Sequence, residues 1–147
     1  MKMTRITTAS LLMAVLASTL AGCAKEKPLP PPPPTAEEIA AQQREERGKQ
    51  SLMEGIRLYQ GGNYFMAENK FLAPEIWEAS TGTQLQALKY LAFSYCVTER
   101  NAQCRYAFER ALQIDPSFRL DSAEDGHPQW GPAFQQASER PVKPSHP

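Results

Sequence analysis

Two stretches of this chain repeat one plan: an amphipathic helix, a tight turn, a second helix, then a proline. In the first, Leu52, Ile56 and Tyr59 fall at i, i+4 and i+7, Gly61-Gly62-Asn63 breaks the helix, and Tyr64, Ala67, Phe71 and Leu72 ride a second helix that Pro74 stops. In the second, Leu88, Leu91, Ala92 and Tyr95 share one helix and a turn falls near Glu99 to Asn101. Cys104, Phe108, Ala111 and Leu112 share the next helix before Asp115-Pro116 closes the pair. Gly55 and Ala92 occupy equivalent small-residue places 37 residues apart, a period of helical-hairpin solenoids with a short insertion, visible as Ala79-Ser80-Thr81-Gly82. Thr83 with Gln86 offers a capping box for the helix after that insertion. The apolar residues gather on one face only if the chain is helical, so the pattern predicts an all-α fold.

These residues resemble the tetratricopeptide repeat, in which a large apolar residue, Leu-small, Tyr, small, aromatic, Ala and Pro recur at fixed offsets. The second unit supplies Leu88, Leu91-Ala92, Tyr95, Cys104, Phe108, Ala111 and Pro116. The first supplies Gly55, Gly62, Tyr64, Ala67 and Phe71, and departs where Pro74 replaces Ala and where Ser51 and Glu54 replace apolar residues. The resemblance implies about two helical hairpins, kept close by small residues at Gly55, Ala67, Ala92 and Cys104. It also implies a concave face lined by Leu52, Ile56, Tyr59, Lys89 and Phe93 on which a partner segment lies, unless the chain's own leading helix covers it.

Two repeats bury little surface alone, so a cap is expected within 51–140. His127-Pro128-Gln129-Trp130 reads as its start, with Pro128 in a first helical turn and Trp130, Phe134 and Ala137 at i, i+4 and i+7. Upstream, Thr35-Ala36-Glu37-Glu38 is a capping box. The segment it opens, 35–50, is rich in Glu, Arg, Gln and Ala with Ile39 almost its one apolar side chain. It reads as an exposed or fraying helix that has little to bury and runs into the next one.

Both ends are unfit to pack. Lys2 and Arg5, an apolar run from Leu11 to Leu20 and Leu20-Ala21-Gly22-Cys23 form a lipoprotein signal over 1–22, with the Cys23 thiol as the group that receives lipid. Resemblance to bacterial lipoproteins implies two or three acyl chains on Cys23 and, with Ala24 rather than Asp following, outer-membrane delivery facing the periplasm. Six of the seven residues 28–34 are proline, which makes 23–34 a lipidated cysteine followed by a stiff polyproline spacer. Residues 141–147 carry three prolines and no face to bury, so that tail is expected to be disordered.

Charge and motif content narrow the function. Without 1–22 the chain has 14 basic residues (16 less Lys2 and Arg5) against 16 acidic ones, and no dense basic cluster, so nucleic acid is not an expected partner. No nucleophile elbow, phosphate loop or metal-ligand spacing appears, which argues for a non-enzyme with no cofactor, metal or small-molecule substrate. His127 beside Pro128 reads as a helix-start residue. Cys96 and Cys104, eight apart across a helix turn, suit a disulfide in an oxidising compartment, while two buried thiols serving as small packing residues fit the repeat equally well.

The lipobox, the proline spacer, Tyr95-Cys96 with Cys104-Arg105 and Phe108, Asp115-Pro116-Ser117-Phe118, and Gly126-His127-Pro128-x-Trp130-Gly131-Pro132-x-Phe134 together resemble TssQ-type lipoproteins associated with type VI secretion. The resemblance implies an accessory lipoprotein, held in the membrane by Cys23, that positions other secretion or envelope proteins. A lipoprotein of envelope or pilus assembly is the neighbouring reading. A thiol-disulfide factor using Cys96 and Cys104 is the reading from another class.

Overall fold

The computed structural model describes residues 32–139. The signal 1–22, Cys23, the start of the proline spacer and the tail 141–147 lie outside the described residues. Within them six helices occur in order: α1 (Ala36–Gln60), α2 (Tyr64–Phe71), α3 (Pro74–Glu78), α4 (Thr81–Val97), α5 (Asn101–Ile114) and α6 (Gly131–Glu139). No strand occurs among the described residues, and the fold is all-α.

The Thr35 capping box forms as its spacing predicts: the Thr35 hydroxyl accepts the Glu38 amide and the Glu38 carboxylate accepts the Thr35 amide. The helix it opens runs into the next one as expected, giving one continuous 25-residue helix, and most of its polar half is exposed; it is docked at Glu45 and Gly48 rather than fraying. Two residues explain this. Gly48 is buried with so little room that a Cβ there would stand 2.4 Å from the Ala79 Cβ and 2.8 Å from the Glu75 carbonyl oxygen, so the helix passes α3 at backbone contact. One turn away, Glu45 reaches the start of α4. A polar helix can therefore be held by close approach and capping instead of an apolar stripe.

Gly61 and Gly62 end α1, and Gly62 takes φ +75°, the left-handed region where a side chain is strained. The reversed chain forms α2, which packs back on α1 through Phe71, fully buried over Gly55. Pro74 ends this run as expected, but it also opens α3 at the first helical position, where its missing N–H costs nothing. Ser80 then caps α4 by accepting the Thr83 amide. The capping box expected at Thr83 with Gln86 is therefore not the helix start: with Ser80 and Glu45 available one turn earlier, Thr83 lies inside the helix.

After α4, Glu99 at φ +62° turns the chain into α5, so that α4 and α5 form the second hairpin. α2 packs against α4, and α6 closes the far side of α5. Phe71, Ile76, Leu88, Leu91, Phe93, Phe108, Phe118 and Phe134 belong to one continuous core. α6 begins at Gly131, three residues later than Pro128 suggests. Pro132 occupies its first turn, where no amide partner is lost. Residues 127–130 are held out of the helix because His127 and Trp130 are stacked on each other and Trp130 is stacked on α4.

Candidate functional site: the inner face of the hairpins

The five residues expected along the concave face fall on α1 and α4, the first helices of the two hairpins. Leu52, Ile56 and Tyr59 are half-buried on α1, while Lys89 and Phe93 are buried on α4. The structure joins Tyr59 to Phe93 at a ring-centroid distance of 6.4 Å, with Tyr90 5.5 Å from Tyr59 and 5.8 Å from Phe93. Burial among these rings, with the charge of Glu124 and the hydroxyls of Tyr64 and Tyr90, pushes the Tyr59 phenol up to about 12.

Lys89 and Phe93 are not open to a partner, and the leading helix is not what covers them. Residues 121–130, a turn-rich strap between α5 and α6, lie across this face. The indole of Trp130 stacks on Phe93 at 4.1 Å, and the imidazole of His127 stacks on that indole at 3.6 Å. Lys89 Nζ donates to both carboxylate oxygens of Glu124 at 2.8 and 3.0 Å and to Asp121 at 3.4 Å. Burial works against the Lys89 charge, yet the hydrogen bond and charge of Glu124, with Asp121 behind, outweigh it and hold the ammonium above its ordinary range. The physical reason for the strap is plain: a lysine whose side chain is 5% exposed needs a counter-charge, and the strap brings it two carboxylates.

His127 is accordingly neither a helix start nor placed with a nucleophile. Its Nδ1 accepts the Gln129 amide and its ring lies on Trp130. Trp130, Phe134 and Ala137 all face inward, Phe134 meeting Phe108 at 5.1 Å. Cys96 and Cys104 are disulfide-bonded with Cα atoms 5.2 Å apart, and the bridge joins the end of α4 to the start of α5 inside the core.

Three charged constellations have no local signature in the sequence. Glu45 accepts the Ser80 amide at 2.6 Å, the Ser80 hydroxyl at 3.0 Å and the Thr83 hydroxyl at 2.8 Å, and the first of these, against a partial desolvation, holds its carboxyl down at about 2. Arg100 pairs with Glu68, donates to Thr98 and lies within 5 Å of the Phe65 and Tyr95 rings, at 4.8 and 4.7 Å. The third is the pairing of Lys89 with Glu124 and Asp121. The one hint of any of them is Lys89 itself, a lone charge inside Leu88-Lys89-Tyr90-Leu91.

On the opposite side, Leu72, Trp77, Leu88, Leu91, Tyr95 and Tyr106 line an apolar cleft of about 290 Å³, with Leu72 and Tyr106 largely exposed. Among the described residues no group of His, Cys, Asp and Glu side chains is placed to hold a metal ion, and no helix is long and apolar enough to cross a membrane. No protein-family model, curated protein or solved structure matches the chain.

Proposed function

We propose that this protein is a lipid-anchored scaffold of the periplasmic face of the outer membrane, which binds other proteins through the inner face of its helical hairpins as an accessory component of type VI secretion. One observation carries the binding reading: a peptide segment, residues 121–130, lies across α4 with two acids, Glu124 and Asp121, on Lys89 and one ring on Phe93. A helical face that holds a chain segment this way has the chemistry of a peptide-binding surface. The anchor rests on Leu20-Ala21-Gly22-Cys23 and the assignment to secretion on the TssQ-like motifs around the two cysteines and the Gly126-His127-Pro128 turn.

Deleting the gene and restoring it in two forms tests this. Type VI effector release is expected to fall on deletion and to return with the unaltered chain but not with Cys23→Ser. Full release without the protein, or full rescue by Cys23→Ser, overturns the proposal.

A further inference from the structure

The strap is built as a separable part. It carries hydrogen bonds of its own: the amides of Glu124 and Asp125 both donate to the Asp121 carbonyl at 2.8 Å, the Asp121 amide donates to the Glu124 carboxylate at 3.2 Å, and the Trp130 indole N–H donates to the Glu124 carbonyl at 2.9 Å. It joins α6 through the Gly131 and Phe134 amides, which donate to the His127 and Trp130 carbonyls at 2.7 and 2.9 Å, and it is held to α4 by the carboxylates on Lys89 and one ring on Phe93. Only Glu124, His127 and Trp130 are half-buried; the other seven residues of 121–130 are exposed. Firm anchors stand on either side, Phe118 and Leu120 before it and Phe134 and Ala137 after it, all in the core. A segment with few buried contacts between two fixed ends opens without unfolding its neighbours.

Any replacement for the strap is constrained by the surface the strap leaves behind. With Glu124 and Asp121 lifted away, the Lys89 ammonium is left without its counter-charges beside two rings, 5.3 Å from the Tyr90 ring centre and 6.0 Å from that of Phe93, and any segment that covers it as the strap does buries it again. A buried cation without a counter-charge is costly, so an incoming segment lacking a carboxylate loses to the strap. Phe93 likewise loses its stacked cover unless the newcomer brings a flat ring.

We infer that residues 121–130 are a built-in competitor for the inner face, and that the ligand of this face is a peptide segment of a partner protein presenting a carboxylate to Lys89 and an aromatic ring to Phe93. This rests on the inner face being the binding surface proposed above. Strap and partner exchange on one site, and the strap keeps the site filled until a segment of matching chemistry arrives.

Two measurements on the full chain test it, with a labelled peptide of residues 119–131 as the probe. In the first, a Glu124→Ala, Trp130→Ala double variant is titrated with the peptide. It is expected to bind at least tenfold more tightly than the unaltered chain, with the gain lost for a peptide carrying Glu124→Gln and on adding Lys89→Met to the protein. A variant that keeps its helical circular dichroism yet binds no better than the unaltered chain overturns the inference. In the second, needed if that variant fails to fold, hydrogen exchange of the unaltered chain is expected to be at least a hundredfold faster in 121–130 than in α4 and α5. Equal rates, meaning the strap opens only when everything unfolds, overturn it. Peptide binding in a protein whose loss leaves secretion intact upholds the exchange and removes the proposed function; the reverse pair of results does the opposite.

Discussion

Gly55 sets how closely α2 closes on α1, and Gly48 how closely α3 does. A Cβ at Gly55 would stand 2.4 Å from Phe71 Cε1, and Phe71 has no exposed surface into which to retreat. Gly55→Ala is expected to lower stability by about 1–3 kcal/mol, the usual cost of overpacking, read as a fall in thermal midpoint. Gly48→Ala, which meets the Ala79 Cβ and a backbone oxygen, is expected to cost a similar amount and to expose α3 to proteolysis. Glu45 gives the acid side of the stability profile. Its carboxyl titrates at about 2 in the folded chain against 4.5 when unfolded, so the stability it contributes is complete above pH 4.5 and is lost as pH falls from there towards 2. Urea midpoints across that window should drop more steeply in the unaltered chain than in Glu45→Gln.

Legibility at this scale falls with sequence distance. Thr35 with Glu38 is a local device, and Leu88, Leu91, Phe108 and Ala111 reveal themselves by period, so those residues stand where the pattern puts them. Glu45 is 35 residues from Ser80, Glu124 is 35 from Lys89, and no local rule links such pairs. Pro128 points to a helix start because its backbone preference is local, whereas the stacking of Trp130 on Phe93 that displaces the start is tertiary.

Among the elements, the second hairpin is the better specified. The disulfide ties α4 to α5 across the turn at Glu99, while the first hairpin relies on the close approach at Gly55, and α1 is tied to the start of α4 by the Ser80 cap shared with Glu45. Ser80→Ala removes a cap and a Glu45 partner and is expected to cost about 1 kcal/mol. Replacing Cys96 and Cys104 together by serine is expected to cost about 2–4 kcal/mol in denaturant unfolding. It also separates two readings of the cysteines. A structural bridge predicts lost stability with function kept wherever the protein still folds, whereas a thiol-exchange factor predicts lost function at unchanged stability. Both sulfurs lie in the core, which favours the first.

At the scale of the whole molecule, the hairpin plan is readable in the sequence and the closure of its inner face is not. The repeat pattern places Lys89 and Phe93 on that face, but nothing in the pattern says that a segment about thirty residues downstream fills it. The resulting molecule has two different sides: an inner face whose charge and ring are already matched by the chain itself, and an outer apolar cleft around Leu72, Trp77 and Tyr106.

Photoreactive residues placed one at a time at Ile56 and at Tyr106 in the full chain, in cells of the native host, separate the two sides in one experiment. Capture of an envelope protein from Ile56, abolished by Lys89→Met and absent from Tyr106, is the predicted result. Capture from Tyr106 with none from Ile56 would contradict the account.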